Sequence, residues 1–255
     1  MRNRFLNSIL GLMAVLAFSP VVLAQNAGQP RAAQAPSTFS PRDLVGIWQL
    51  ARGQPGDNDL FTIEPYPMQP WAQEVFNYNQ RPGPPGQGNF STLNYGGRDE
   101  VNPQLKCIPY GFPRVVIAGA RPFEILQVPG RFIILYERDH MVRQIWMDQQ
   151  HPENYPPGFV GHSVGRWDGD TLVVDTINLK ANWLDSAGHP QSDAMHIVER
   201  YRRSAADTLV IDYQFDDPKV YTKPFTGSRA FRLHPEFKGV MEDVLCEDPF
   251  GKGGQ

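Results

Sequence analysis

The chain has 255 residues, with 24 basic and 27 acidic side chains for a net charge of −3 and 41% hydrophobic residues. This acidic balance argues against nucleic acid or an anionic membrane surface as a partner. There are 23 glycines and 24 prolines, a density that reads as many turns and short elements.

The first residues read as a secretory signal peptide over 1–24. Arg2 and Arg4 give a positive start, Leu6 to Phe18 is largely apolar, and Val22-Leu23-Ala24 forms a small-residue cleavage site before Gln25. The expected location is therefore periplasmic or secreted. Removing Arg2 and Arg4 takes the 24 basic residues to 22 against 27 acidic ones, a mature net charge of −5. No later stretch approaches the ~20 apolar residues of a membrane span. Residues 25–40 are rich in Ala, Gln and Pro and read as a disordered tether. A single folded domain is expected over 41–249, with 250–255 as a tail.

Leu44 to Leu50 reads as the first strand. Residues 53–113 are dense in Pro, Gly and Asn, a long covering loop with one short helix near Trp71 to Tyr78. Phe123 to Val128 and Arg131 to Glu137 read as strands joined at Pro129-Gly130, with a third over Met141 to Asp148. A Pro-rich loop follows over His151 to Gly158. Val164 to Trp167 and Thr171 to Ile177 form a hairpin around Asp168-Gly169. Met195 to Arg203 pairs with Thr208 to Phe215 in another, although 195–203 also fits a helical stripe. Arg229 to Leu233 and Gly239 to Cys246 complete the pattern. The fold class is all-β: an antiparallel meander of short strands that closes into a barrel and so removes its edges.

Two resemblances accompany this reading. Gly46-Ile47-Trp48 on the first strand resembles the G-x-W of lipocalin-like (calycin-type) proteins, in which the Trp closes one end of the barrel. The segment Gly161 to Thr176 (GHSVGRWDGDTLVVDT), with Glu199-Arg200-Tyr201, Asp217 to Thr222 and Cys107 to Arg114, is similar to a recurrent family of exported bacterial proteins. That family carries no known activity, so the likeness implies export and nothing about chemistry.

The two cysteines, Cys107 and Cys246, are expected to pair outside the cytoplasm. Their spacing matches no zinc pattern. Gly161-His162-Ser163-Val164-Gly165 matches the G-x-S-x-G of a nucleophile elbow, but a hairpin follows it where a helix is needed. With Asp168-Gly169 as the turn, Gly165 faces Leu172 and His162 faces Asp175. His162, Arg166, Thr171 and Asp175 then share one face, while Ser163, Trp167, Leu172 and Val174 share the other. His162 beside Asp175 is either an oriented general base or a structural pair. The segment Trp183 to Glu199 is the richest in polar chemistry, holding Asp185, His189, Asp193 and His196. His189, His196 and a carboxylate could ligate a metal, but on a strand His196 and Glu199 point to opposite faces, and no metal is expected. No glycine-rich nucleotide loop is present, so no cofactor is expected.

The function expected is binding of a small, partly apolar molecule in the barrel mouth. Trp48, Trp167, Trp183 and Tyr221 would be its walls and Arg166 a polar contact. The alternatives are an enzyme doing acid–base work with His162, His189 or His196 and Asp175 or Asp185, as a lyase, isomerase or hydrolase, and an interaction module of the cell envelope that uses the 53–113 loop.

Overall fold

The computed structural model describes residues 39–51, 60–79, 107–117 and 121–239. The expected signal peptide, the tether up to residue 38, the Arg81 to Gly88 stretch, the last expected strand beyond Gly239, Cys246 and the tail lie outside the described residues.

Nine strands close into a barrel in the order β1-β11-β10-β9-β6-β5-β4-β3-β2. They are β1 (Gly46–Leu50), β2 (Phe123–Val128), β3 (Arg131–Tyr136), β4 (Val142–Met147), β5 (His162–Asp168), β6 (Thr171–Ile177), β9 (His196–Ala205), β10 (Thr208–Asp216) and β11 (Phe225–Leu233). A two-stranded hairpin, β7 (Asn182–Trp183) with β8 (Pro190–Gln191), stands apart from the barrel sheet. Two helices complete the described structure, α1 (Pro70–Asn79) and the short α2 (Arg114–Ile117), besides a single 3-10 turn at Arg138–His140. The fold is all-β and closed, of the lipocalin-like kind. Residues 196–205 are strand, not helix, because Ile197, Glu199 and Tyr201 alternate inward with period two.

The barrel is not a pure antiparallel meander. β4 and β5 run parallel, with Ile145 opposite Ser163 and Met147 opposite Gly165. The cause lies in the connection. A hairpin turn can join only antiparallel strands, and a parallel pair needs roughly a dozen residues to return the chain. Residues 148–161 provide that return, and it holds the prolines that mark a loop. Gly165 sits on the parallel seam because a Cβ there would lie 2.8 Å from Ile145 Cγ2.

The β5–β6 register also differs from expectation. Asp168 pairs with Thr171 and Gly165 with Val174, so the two-residue turn is Gly169-Asp170. Gly169 takes φ +59, which suits the first position of such a turn. The slip is two residues, so each side chain keeps its face. His162 therefore sits opposite Ile177, and Asp175 opposite Val164.

The registers define two ends. At the hairpin end lie the turns between β2 and β3, β5 and β6, and β9 and β10. At the loop end lie the connections 178–195 and 217–224, which carry β7, β8, Asp185, His189 and Asp193. Trp48 is fully buried towards the hairpin end and its Nε1–H donates to the Leu44 carbonyl at 2.9 Å. Arg203 lies over its ring at 5.6 Å.

The interior is filled by side chains. Phe132, Tyr201, Tyr213, Phe215 and Phe231 are each at most 2% exposed. Phe61 enters from the chain before α1 and packs edge-on to Tyr213 and Phe215, both at 4.9 Å. Across the lumen runs an ion pair that the sequence reading did not foresee. Arg143 of β4 donates from Nη1 to Glu199 Oε1 of β9 at 3.1 Å and from Nη2 to Oε2, with 1% and 0% of the two side chains exposed. Arg143 also donates to Ser163 Oγ at 3.0 Å and Thr176 Oγ1 at 2.8 Å, and its Cζ lies 3.7 Å from the centre of the Phe112 ring. Tyr201 OH donates to Glu199 Oε1 at 2.8 Å. Burial opposes Arg143's charge, and the adjacent Glu199 more than offsets it, holding the guanidinium above its ordinary range.

Candidate functional site

Ser163 is not a nucleophile elbow. It faces the lumen from the second position of a strand, 1% exposed, bonded to Arg143 and Thr176. Gly161 before it takes φ +63 and approaches the Ile177 carbonyl so closely that a Cβ would sit 2.5 Å away. The two glycines of this motif serve a tight strand entry and the parallel seam.

Two polar clusters remain, and they differ in kind. The first lies on the outer wall. His151, in the return from β4 to β5, lies between β5 and β6 side chains: its Nδ1 is 2.9 Å from His162 Nδ1 and its Nε2 is 3.0 Å from Asp175 Oδ1. His196 of β9 reaches Asp175 Oδ2 from the other side at 3.0 Å. The slipped register makes His162 and Asp175 diagonal neighbours, and His151 fills the gap between them. Burial, with His151 beside it, holds His162 below the ordinary histidine value. The hydrogen bond to Asp175 raises His196 against the effect of burial. Burial works to raise Asp175, but hydrogen bonds with His196 and His151 prevail and hold it low. The four side chains join end to end along the wall, and no three His, Cys, Asp or Glu among the described residues converge on a point as metal ligands would.

The second cluster is built on the 178–195 connection at the loop end. Leu184 N–H donates to the His189 carbonyl at 2.7 Å, which closes the β7–β8 turn. Inside it Asp185 is fully buried and works as a local organiser. Its Oδ1 accepts from the Ala187 amide at 3.0 Å and the His189 amide at 3.3 Å, and its Oδ2 lies 2.8 Å from His189 Nδ1. Gly188 takes φ +85, and its carbonyl accepts from Asn79 Nδ2 of α1 at 2.8 Å. The helix thereby brings Phe76 flat against the His189 ring, at 4.0 Å and 11°. Tyr66 covers the other face at 4.0 Å. Burial and the nearby Asp185 push the Tyr66 phenol well above its ordinary range, so it stays protonated.

His189 is thus clamped between two rings, with Nδ1 held by a carboxylate. Its Nε2 makes no hydrogen bond among the described residues. A carboxylate on Nδ1 fixes the ring's orientation and the tautomer that leaves Nε2 as the proton acceptor. Asp175 differs, since it is shared between two histidines at a half-open surface.

The structure separates the remaining expected residues by end. Trp183 and Tyr221 belong to the loop end, where Tyr221 OH donates to the Pro190 carbonyl at 2.8 Å. Trp48 and Trp167 stand towards the hairpin end, Trp167 packing on Phe132 and under Arg42. Arg166 is exposed on the outer face of β5. These residues do not line one mouth. Cys107 is exposed, and its expected partner Cys246 lies outside the described residues.

Sequence reasoning missed Tyr66 and Phe76 because they arrive from the remote 60–79 stretch, and His151 because a loop residue gives no local sign of where it docks. Arg143 did leave a signal: it shares strand parity with Ile145, which marks it as inward-facing. No helix among the described residues is long and apolar enough to cross a membrane. No protein-family model matches the chain, and no curated protein matches it in sequence.

Proposed function

We propose that this is an exported protein that takes a small, partly apolar molecule at the loop end of its barrel, and that His189 acts on it as a general base oriented by Asp185. The observation that carries the reading is the buried Asp185–His189 dyad, ring-clamped by Phe76 and Tyr66 with Nε2 unbonded. In this scheme Nε2 takes a proton from the bound molecule, Asp185 stabilises the imidazolium, and the proton is returned to another atom of the substrate or to its leaving group. The centre of the lumen is occupied by Arg143, Glu199 and aromatic rings, so binding belongs to the loop end, walled by Tyr66, Phe76 and Trp183. The outer-wall histidines tie the β4–β5 return to the barrel.

Native mass spectrometry of the mature protein, purified gently and without chelator, tests the binding step. A retained organic molecule that is lost in Trp183→Ala supports the proposal and names the substrate class. Once a substrate is in hand, His189→Ala lowering turnover by about 10²–10⁴-fold, with His196→Ala close to unchanged, supports the base assignment. Equal turnover in wild type and His189→Ala refutes it. The same spectra check export and pairing: the proposal expects a chain beginning at Gln25 with Cys107 and Cys246 joined.

A further inference from the structure

Resting on that loop-end reading, we propose that the bound molecule carries a carboxylate and that Arg114 is its anchor. Arg114 opens α2, directly after the Gly111-Phe112-Pro113 turn, and only 3% of it is exposed. A buried guanidinium normally has a carboxylate or a set of carbonyls around it, as Arg143 has Glu199. Arg114 bonds to neither: its Nε and Nη1 are buried and make no hydrogen bond, and Asp185 and Asp139 act on it only through space. What surrounds it is aromatic. The Tyr110 ring lies 4.1 Å from Cζ and the Trp183 ring 5.2 Å. These faces hold a cation in place but accept nothing from its in-plane donors, so Nε and Nη1 are left without an acceptor.

The same Trp183 ring connects Arg114 to the dyad. Its six-membered edge lies 3.4 Å from where a Cβ would stand on Gly188, the residue before His189. Ser186, next to Asp185, is a second orphan, since its Oγ is buried and unbonded. A cation and a hydroxyl, both buried without acceptors and both flanking the Trp183–His189 turn, suit an anionic, oxygen-bearing group. Burial lowers the Arg114 pKa, with Tyr110, Asp185 and Asp139 countering it, so a ligand's negative charge would further secure the cation. The planar fork of Arg matches a carboxylate, and the aromatic walls suit an apolar remainder. The ligand class is therefore a small organic acid with an apolar or aromatic body. Anchored by Arg114, such an acid would lie beside the Trp183 wall that leads to His189.

The test compares matched pairs of acid and methyl ester (benzoate, 3-phenylpropanoate and octanoate with their esters), titrated into the mature, full-length protein by calorimetry and by Trp fluorescence. The expected result is that at least one acid binds about 10- to 100-fold more tightly than its ester, the range for losing a charged hydrogen-bonded contact. Arg114→Met is expected to remove that preference and Arg114→Lys to keep part of it, each checked for native circular dichroism. The wild-type acid–ester comparison stands even if both variants fail to fold. Esters that bind as tightly as acids overturn the anchor and leave the loop-end binding reading intact. Chloride that competes fully with the acids at equal concentration shows a small inorganic-anion site and overturns the organic-acid class. Binding of neither acids nor esters by any pair overturns both readings.

Discussion

Glu199→Gln is the most informative single change to the barrel. It keeps shape and volume but removes the charge facing Arg143. In the native protein the carboxylate accepts two hydrogen bonds from the guanidinium and one from Tyr201, with Glu199 fully buried and Arg143 1% exposed. Both side chains are shut away from solvent, so the variant leaves a buried cation with only neutral acceptors at position 199, Ser163 and Thr176. Breaking one side of such a pair costs about 3–5 kcal/mol. For a domain of this size that is roughly 6–20 °C in Tm, at about 2–4 °C per kcal/mol. Arg143→Met combined with Glu199→Leu removes both charges and should recover most of the loss, because apolar replacement of a whole buried pair is often neutral or stabilising by about 1–4 kcal/mol. Urea unfolding followed by far-ultraviolet circular dichroism reads both variants. A loss under about 1 kcal/mol for Glu199→Gln would refute the reasoning, as would a double variant as unstable as the sum of its parts.

Other changes probe the remaining contacts. NMR titration should find His196 above and His162 below the ordinary histidine value, with Asp175→Asn abolishing the His196 elevation; an unchanged His196 titration would dismiss the Asp175 contact. The contribution of a raised His196 is fully present below the unfolded histidine value and is lost as pH rises through its folded value. That of a lowered Asp175 is present above the unfolded carboxylate value and is lost as pH falls through its folded one. Stability from this pair therefore peaks between the two and stays modest, because 42% of the His196 side chain is exposed to solvent. Gly227→Ala would place a Cβ 2.3 Å from the Phe61 carbonyl, which must shift with Phe61 itself, and should cost about 1–3 kcal/mol in urea unfolding; a neutral result would show that this chain can retreat. Trp48→Phe should cost about 1–3 kcal/mol in urea unfolding by leaving the buried Leu44 carbonyl unpaired; a neutral result would show that this bond adds nothing to stability.

Local pattern carried much of the fold. β2 and β6 occupy the expected residues because β-branched and aromatic runs bounded by Gly, Pro or Asp leave little choice. The faces of β5 and β6 were legible even though their register was not, since an even slip preserves parity. The parallel seam was not legible: strand direction depends on where the 148–161 return docks, and no local preference reports that. Asp185 and His189 were visible as a polar pair four apart in a turn. Their clamping by Tyr66 and Phe76 was invisible, because those rings come from a separate stretch, about a hundred or more residues earlier in the chain. Arg114 was visible only as one arginine among several, since the absence of a partner is a property of three dimensions.

The pairing of β1 with β11, Trp48 opposite Leu233 and Leu50 opposite Phe231, joins the first and last strands of the described structure. The ring therefore cannot shut until the chain has run through β11, and closing it brings together two segments remote in sequence. A fragment that stops short of Phe225 would keep its local hairpins but present β1 and β10 as bare edges, each a template for another copy.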